Sequence, residues 1–283
     1  MAVLCVAVGL GMVSGCSAVR IGYNQAPTLA YWWLDGYADF VDTQTPRVRE
    51  ALSAWFAWHR RTQLPEYADL LAKAQIEAVA DTTPERTCEW WRDLRVRVDT
   101  AVDHGLPMAA GLMITMTPQQ IAHIEQRYAK FNDEYRDEYL QSDAAERLEA
   151  NARRTIERAE SLYGRLADTQ RANIRAWLAD SPFDADVWLA ERQQRQRDAL
   201  QMLRRSVASG ATQEQAQAAL RVYVGNMERS PREAYRHYNQ RLTQFNCAFT
   251  ARLHNSTTPV QRQAAIKKLN GWEGDLRALA ADQ

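Results

Sequence analysis

The sequence lacks a long hydrophobic run. Its one apolar stretch, Ala2 to Val13, is 12 residues, whereas a helix crossing a bilayer needs about 20. It lacks an excess of either charge: 35 basic residues balance 35 acidic ones and no block of like sign stands out. That removes the electrostatic case for nucleic acid or an anionic membrane surface. Cysteine is scarce, at four in 283 residues. Catalytic signatures are missing too. No two of His59, His104, His123, His237 and His254 are spaced i, i+4, and there is no His-Glu-x-x-His, glycine-rich phosphate loop or Gly-x-Ser-x-Gly. We therefore expect no enzyme, no metal site, no small-molecule cofactor and no nucleic-acid partner.

What is present begins at the first residue. The run from Ala2 to Val13 has the length of a signal h-region and leads into Val13-Ser14-Gly15-Cys16. That ending resembles the lipobox of bacterial lipoproteins. The resemblance implies cleavage after residue 15, a diacylglycerol on the Cys16 sulfur and an acylated amino group, hence a membrane partner through the N-terminal lipid. Two or more acyl chains make a stable anchor where one does not. No Lys or Arg precedes the apolar run, which is what a start placed downstream of the true one would produce. Ser17 rather than Asp after the cysteine implies, by the same resemblance, the outer membrane, with the protein facing the periplasm. The expected organisation is a cleaved signal over 1–15, a lipidated N-terminus and tether over 16–28, and a helical domain over 29–283.

The rest of the chain shows helical periods and almost no strand pattern. Ile121, Ile124, Tyr128, Phe131, Tyr135 and Tyr139 step by three and four, as do Tyr235, Tyr238, Leu242, Phe245, Phe249 and Leu253. Thr45-Pro46, Thr83-Pro84, Thr117-Pro118, Ser181-Pro182, Ser230-Pro231 and Thr258-Pro259 each set a capping hydroxyl before a proline suited to the first helical turn. Gly105, Gly164 and Gly210 sit where helices should stop. This predicts an all-α bundle of about ten to twelve mostly antiparallel helices with short loops. Predicted helices include 45–61 and 64–81, 84–104 and 107–115, and 231–255. The polar segment Glu191 to Asp198 reads as a solvated part of a long helix. Cys5 leaves with the signal and Cys16 is lipidated. Cys88 and Cys247 are then either one disulfide closing a long loop or two buried free thiols.

A short motif recurs. Phe40 precedes Gln44 by four residues, Met116 precedes Gln120, and Leu166 precedes Gln170; Val48, Ile124 and Ile174 follow the glutamines by four. Thr258-x-x-Gln261, followed by Ala265, is a looser copy. Each reads as a helix start: an apolar staple, a cap and a glutamine returning to the first turn. Thr117 and Thr258 supply the cap in their copies, whereas Asp42 and Asp168 must do so in the other two. Met116-Thr117-x-x-Gln120 resembles the Leu-Thr-x-x-Gln signature of Spy-type periplasmic chaperones, which are all-helical proteins that cradle unfolded clients. The chain as a whole is similar to an uncharacterised family of proteobacterial helical lipoproteins. That similarity is carried by Gly22-Tyr23-Asn24, Trp58-His59-Arg60-Arg61 with Leu64-Pro65-x-Tyr67, Tyr163-Gly164-Arg165-Leu166 and Gly271-Trp272-Glu273.

His59 reads as a histidine at a helix C-terminus, with a groove residue as the alternative. Trp32-Trp33 and Trp90-Trp91 place adjacent rings about 100° apart on a helix. We expect both helices to be sandwiched inside the bundle; the alternative is one tryptophan lining an exposed groove. The functional expectation is a non-enzymatic lipoprotein that binds an envelope protein or peptide through a groove, in a chaperone-like manner. The alternatives are a scaffold contacting peptidoglycan or an outer-membrane assembly, and a cell-wall enzyme.

Overall fold

The computed structural model describes residues 18–282; the signal stretch and Cys16 lie outside them. Among the described residues there are ten α-helices and no strand. They are α1 (Ala18–Ala38), α2 (Thr45–Glu77), α3 (Pro84–Met113), α4 (Pro118–Tyr139) and α5 (Ala144–Tyr163). Then come α6 (Asp168–Ala179), α7 (Ala185–Ala208), α8 (Gln213–Glu228), α9 (Glu233–Asn255) and α10 (Pro259–Ala281). The chain is an all-α multi-helix bundle.

The helix α2 is the spine. Leu64 and Ala68 are buried on it, and α10 runs antiparallel beside its C-terminal half. Arg60 donates to the Leu279 carbonyl at 3.2 Å, Arg277 pairs with Asp69 at 3.0 Å, and Arg262 reaches the Val79 carbonyl at 3.1 Å. The N-terminal half is covered by α1, where Tyr31 meets Thr45 and Asn24 accepts from Arg60. An ion pair between Arg20 and Asp282, 3.1 Å, brings the start of α1 to the end of α10. Residues 18–28 are thus part of a helix rather than a tether, because the Tyr23 and Asn24 side chains are held against α2. The predicted breaks at 61–64 and 104–107 are also absent. Pro65 and Pro107 lie inside α2 and α3: each removes one helical hydrogen bond, and continuous packing along both helices outweighs that loss.

Thr83, Thr117 and Thr258 cap their helices where the Thr-Pro pairs place them, whereas Thr45 is the first residue of α2, behind Gln44, and its hydroxyl caps nothing. Two expected starts move. The α7 cap is Asp184 rather than Ser181, and α9 begins at Glu233, after Pro231. Ser181 and Ser230 instead close short turns with the N–H groups two residues on. Gly164 and Gly210 have φ of +73° and +60° and end their helices. Gly105 does not; it lies within α3, where a Cβ would stand 3.5 Å from the Trp55 ring nitrogen. That nitrogen donates to the Ala101 carbonyl at 3.1 Å.

Burial is shared among several small cores. One joins Ala110, Met113, Ile121, Ile124, Leu200, Leu203 and Ala216 from α3, α4, α7 and α8. Another joins α5, α6 and α9 through Ile156, Leu166, Ile174 and Leu253. Tyr31, Val48 and Leu52 tie α1 to α2. The segment Glu191–Asp198 is not the solvated stretch expected. Glu191 is only 5% exposed, and Arg232, the residue just before α9, bridges it at 2.6 Å and Asp198 at 3.1 Å. Arg195 pairs with Glu191 at 2.9 Å, so an ion network ties α7 to the residue that opens α9.

Candidate functional site

The recurring glutamines are brought together in pairs. Gln44 Oε1 accepts from the Val41 N–H and Gln120 Oε1 from the Thr117 N–H, so each reaches back three residues at its helix start. The two amides also bond to each other. Gln120 donates to Gln44 Oε1 at 2.8 Å, and Gln44 donates to Gln120 Oε1 at 3.3 Å. Their remaining N–H bonds go to carbonyls at the opposite loop: Gln44 to Thr115, Gln120 to Ala38 and Asp39. Gln170 and Gln261 repeat this arrangement. They bond reciprocally at 2.9 Å, and donate to the carbonyls of Ser256 and Arg165. All four glutamines are buried. These are fasteners at loop crossings, with every polar atom engaged internally.

The caps expected at Asp42 and Asp168 do not form. The glutamine alone satisfies the N–H of Val41 or Ala167, and the exposed Asp168 carboxylate lies 3.7 Å from Arg171. A different acid supports each of these two turns. Asp35 accepts from the N–H of Phe40, and Glu160 from the N–H of Leu166.

His59 is not at a helix end, since α2 continues past it. It is half-buried among rings: Trp55 stacks on it at 4.8 Å, Tyr67 lies at 5.7 Å, and Tyr23 shares a 2.9 Å hydrogen bond with Nδ1. Burial lowers its pKa below the usual imidazole value. Burial also pushes the Tyr23 hydroxyl up to about 12, although Arg60 opposes this. Tyr23, Asn24, His59, Arg60 and Tyr67, scattered over two sequence motifs, therefore form one joint between α1 and α2. No cluster of His, Cys, Asp and Glu that could hold a metal occurs among the described residues.

The candidate site lies between α3 and α9. Cys88 of α3 and Cys247 of α9 form a disulfide with Cα atoms 5.3 Å apart. Beside it runs a groove of about 470 Å³ lined by Leu70, Thr87, Trp90, Trp91, Leu94, Asn239, Leu242, Thr243, Asn246, Cys247 and Thr250. None of these is charged, in a chain in which one residue in four is. The two tryptophans have different parts. Trp90 is fixed: its ring nitrogen donates to Glu77 at 3.0 Å, and Arg86, itself paired with Glu77, lies 5.0 Å over the ring. Trp91 is 53% exposed. Contrary to the sandwiched expectation, both rings of this pair line a groove, Trp90 held in place and Trp91 open to solvent. In the other pair both Trp32 and Trp33 face outward.

Leu94, Val98 and Val102 are also exposed and follow Trp91 at steps of three and four, so α3 carries an apolar stripe leading away from the groove. The α9 wall supplies amides and hydroxyls, groups able to bond a peptide backbone. A second cavity of about 410 Å³, between α4 and α7, is lined by Tyr135, Tyr139 and Trp188 but also by Glu134, Glu138 and Arg192.

Residues 36–236 match a family of unknown function, DUF6279. The chain belongs to that family. The match covers the first glutamine pair, His59, Cys88 and the α3 wall of the groove, and ends before Cys247 and Gln261. In this DUF6279 member the α9 wall of the groove and the second glutamine pair therefore lie partly or wholly beyond the matched span. Neither the curated proteins nor the solved structures contain a significant match. A groove position for Trp91 was only the alternative reading of its tryptophan pair. Leu242, on a stripe that reads as core, and Asn239 and Asn246 carried no signal that separated them from ordinary helix positions.

Proposed function

We propose that this protein is a cell-envelope lipoprotein of proteobacterial type, anchored through Cys16. Its periplasm-facing helical domain captures an apolar segment of a protein partner, in the manner of a chaperone holding an unfolded client. The single observation that carries the reading is the uncharged α3–α9 groove with the half-exposed Trp91 at its edge and the Leu94–Val98–Val102 stripe continuing from it. Exposed, contiguous apolar surface of this kind marks interaction sites on soluble domains, and tryptophan is the side chain most often found at binding hot spots. The disulfide supports an oxidising compartment, and the Val-Ser-Gly-Cys sequence supports the anchor.

The test is suppression of client aggregation by the purified mature protein, compared with Trp91→Arg. The wild type should suppress aggregation at client stoichiometry, and W91R should weaken client affinity by about thirtyfold, the effect of losing about 2 kcal/mol at a hot spot. Absence of suppression by the wild type, or an unchanged W91R, rejects the reading. Mass spectrometry of the native protein tests the anchor separately, with an unmodified Cys16 as the outcome against it.

A further inference from the structure

Helix α1 leaves a charge-free face uncovered. Its charged residues, Arg20 and Asp35, are turned inward, to Asp282 and to the N–H of Phe40. Ile21, Leu29, Trp32 and Trp33 are all at least half exposed. With Gln25 and Gly36, also exposed, they fall within an arc of about 120° at 100° per residue. The helix is not long and apolar enough to cross a membrane.

Connectivity decides what covers this face. Only Ser17 lies between Cys16 and Ala18, the first residue of α1. Two residues span at most about 7 Å in any conformation. On the anchored reading above, on which this inference rests, the N-terminus of α1 is therefore held at the bilayer surface. Tryptophan is the residue that favours the headgroup level, and a helix with one apolar face lies in that plane. We propose that α1 is a membrane-interface helix: Ile21, Leu29, Trp32 and Trp33 rest in the outer part of the bilayer and fix the orientation of the domain against the membrane carrying its lipid. Because the face carries no charge, its docking does not require anionic lipid.

The experiment uses the full mature protein, reconstituted in phosphatidylcholine vesicles with bromine on the acyl chains and analysed by mass spectrometry. With Cys16 acylated, bromine should quench part of the tryptophan emission. Trp32→Phe/Trp33→Phe should abolish that quenching, whereas Trp91→Phe should leave it unchanged. Equal quenching in the double variant, or none in the wild type, overturns the proposal while leaving the anchor in place. Trp32 and Trp33 shielded from aqueous quencher but untouched by bromine would mean that a second copy or another protein covers them, and also overturns it. An unmodified Cys16 removes the anchor and this inference with it.

Discussion

Gln44 and Gln120, 76 positions apart, exchange hydrogen bonds between their side-chain amides in both directions. Each also returns to its own helix start and crosses to a carbonyl of the other loop. The motif is thus a local cap and a long-range fastener at once, and neither partner can be removed without stranding the other in a buried place. Gln120→Leu should cost about 3 kcal/mol, the scale of leaving one or two buried polar groups unpaired. Gln44→Leu in the same background should add much less than it costs alone, giving a coupling energy of about 1–2 kcal/mol. Chemical denaturation of the four proteins in that cycle measures it; strict additivity would mean that the amides are not coupled.

The Cys88–Cys247 bond closes a loop of 159 residues in sequence separation. In the chain-entropy account, closing a loop that long stabilises by about 5 kcal/mol. Reduction, or Cys88→Ser/Cys247→Ser, should lower the denaturation midpoint accordingly. Because Cys247 also lines the groove, the same change should weaken client capture at temperatures where the protein remains folded. Parallel unfolding and aggregation-suppression measurements, with and without reductant, check both effects.

The sequence was legible where a local rule decides the structure. Val48, Ile124 and Ile174, four beyond the motif glutamines, are all buried, as a 3.6-residue period requires. Thr83, Thr117 and Thr258 cap their helices because a hydroxyl one residue before proline suits a helix start. It misled where distant packing overrides a local rule. Pro65 and Pro107 looked like breaks, but α10 and α8 pack alongside and the helices continue. Asp42 and Asp168 looked like caps, but α2 and α6 start without a side-chain cap, and the motif glutamines bond the N–H groups of Val41 and Ala167 instead. Glu191 looked solvated until Arg232, 41 residues on, came to meet it. The pairing of the four glutamines and the α9 wall of the groove depend on contacts between residues far apart, and no periodicity encodes those.

The Glu191 network should set the acid limit of the fold. Burial alone would raise the Glu191 pKa; hydrogen bonds from Arg232 and Arg195 outweigh that and hold it below the usual carboxylate range. A carboxylate with a depressed folded-state pKa gives its full stabilisation above the unfolded-state value, and loses it as pH falls through the folded-state value. Glu191→Gln should therefore be less stable than wild type at neutral pH, and the gap should close below the usual carboxylate range. Arg232→Leu leaves Glu191 with Arg195 and the Ser230 hydroxyl and should cost about 3 kcal/mol at neutral pH. Denaturation midpoints across pH measure both variants; a gap for E191Q that does not depend on pH would refute the network's role.

His59 should act at milder acidity. Its ring sits between Trp55 and Tyr67 with Nδ1 bonded to Tyr23, and burial lowers its folded-state pKa. The unfolded chain then takes up the proton first as pH falls. Stability is highest above the ordinary imidazole pKa and declines below it, with a slope of at most about 1.4 kcal/mol per pH unit for one proton. The decline ends once the folded protein is protonated too. Replacing His59 by Phe keeps a ring between its neighbours and removes the titrating group. His59→Phe should lose the Tyr23 hydrogen bond, and so some stability at every pH, while flattening the decline just below neutrality. The slope is the informative quantity, because a purely packing role for His59 would shift the whole curve and leave its shape unchanged.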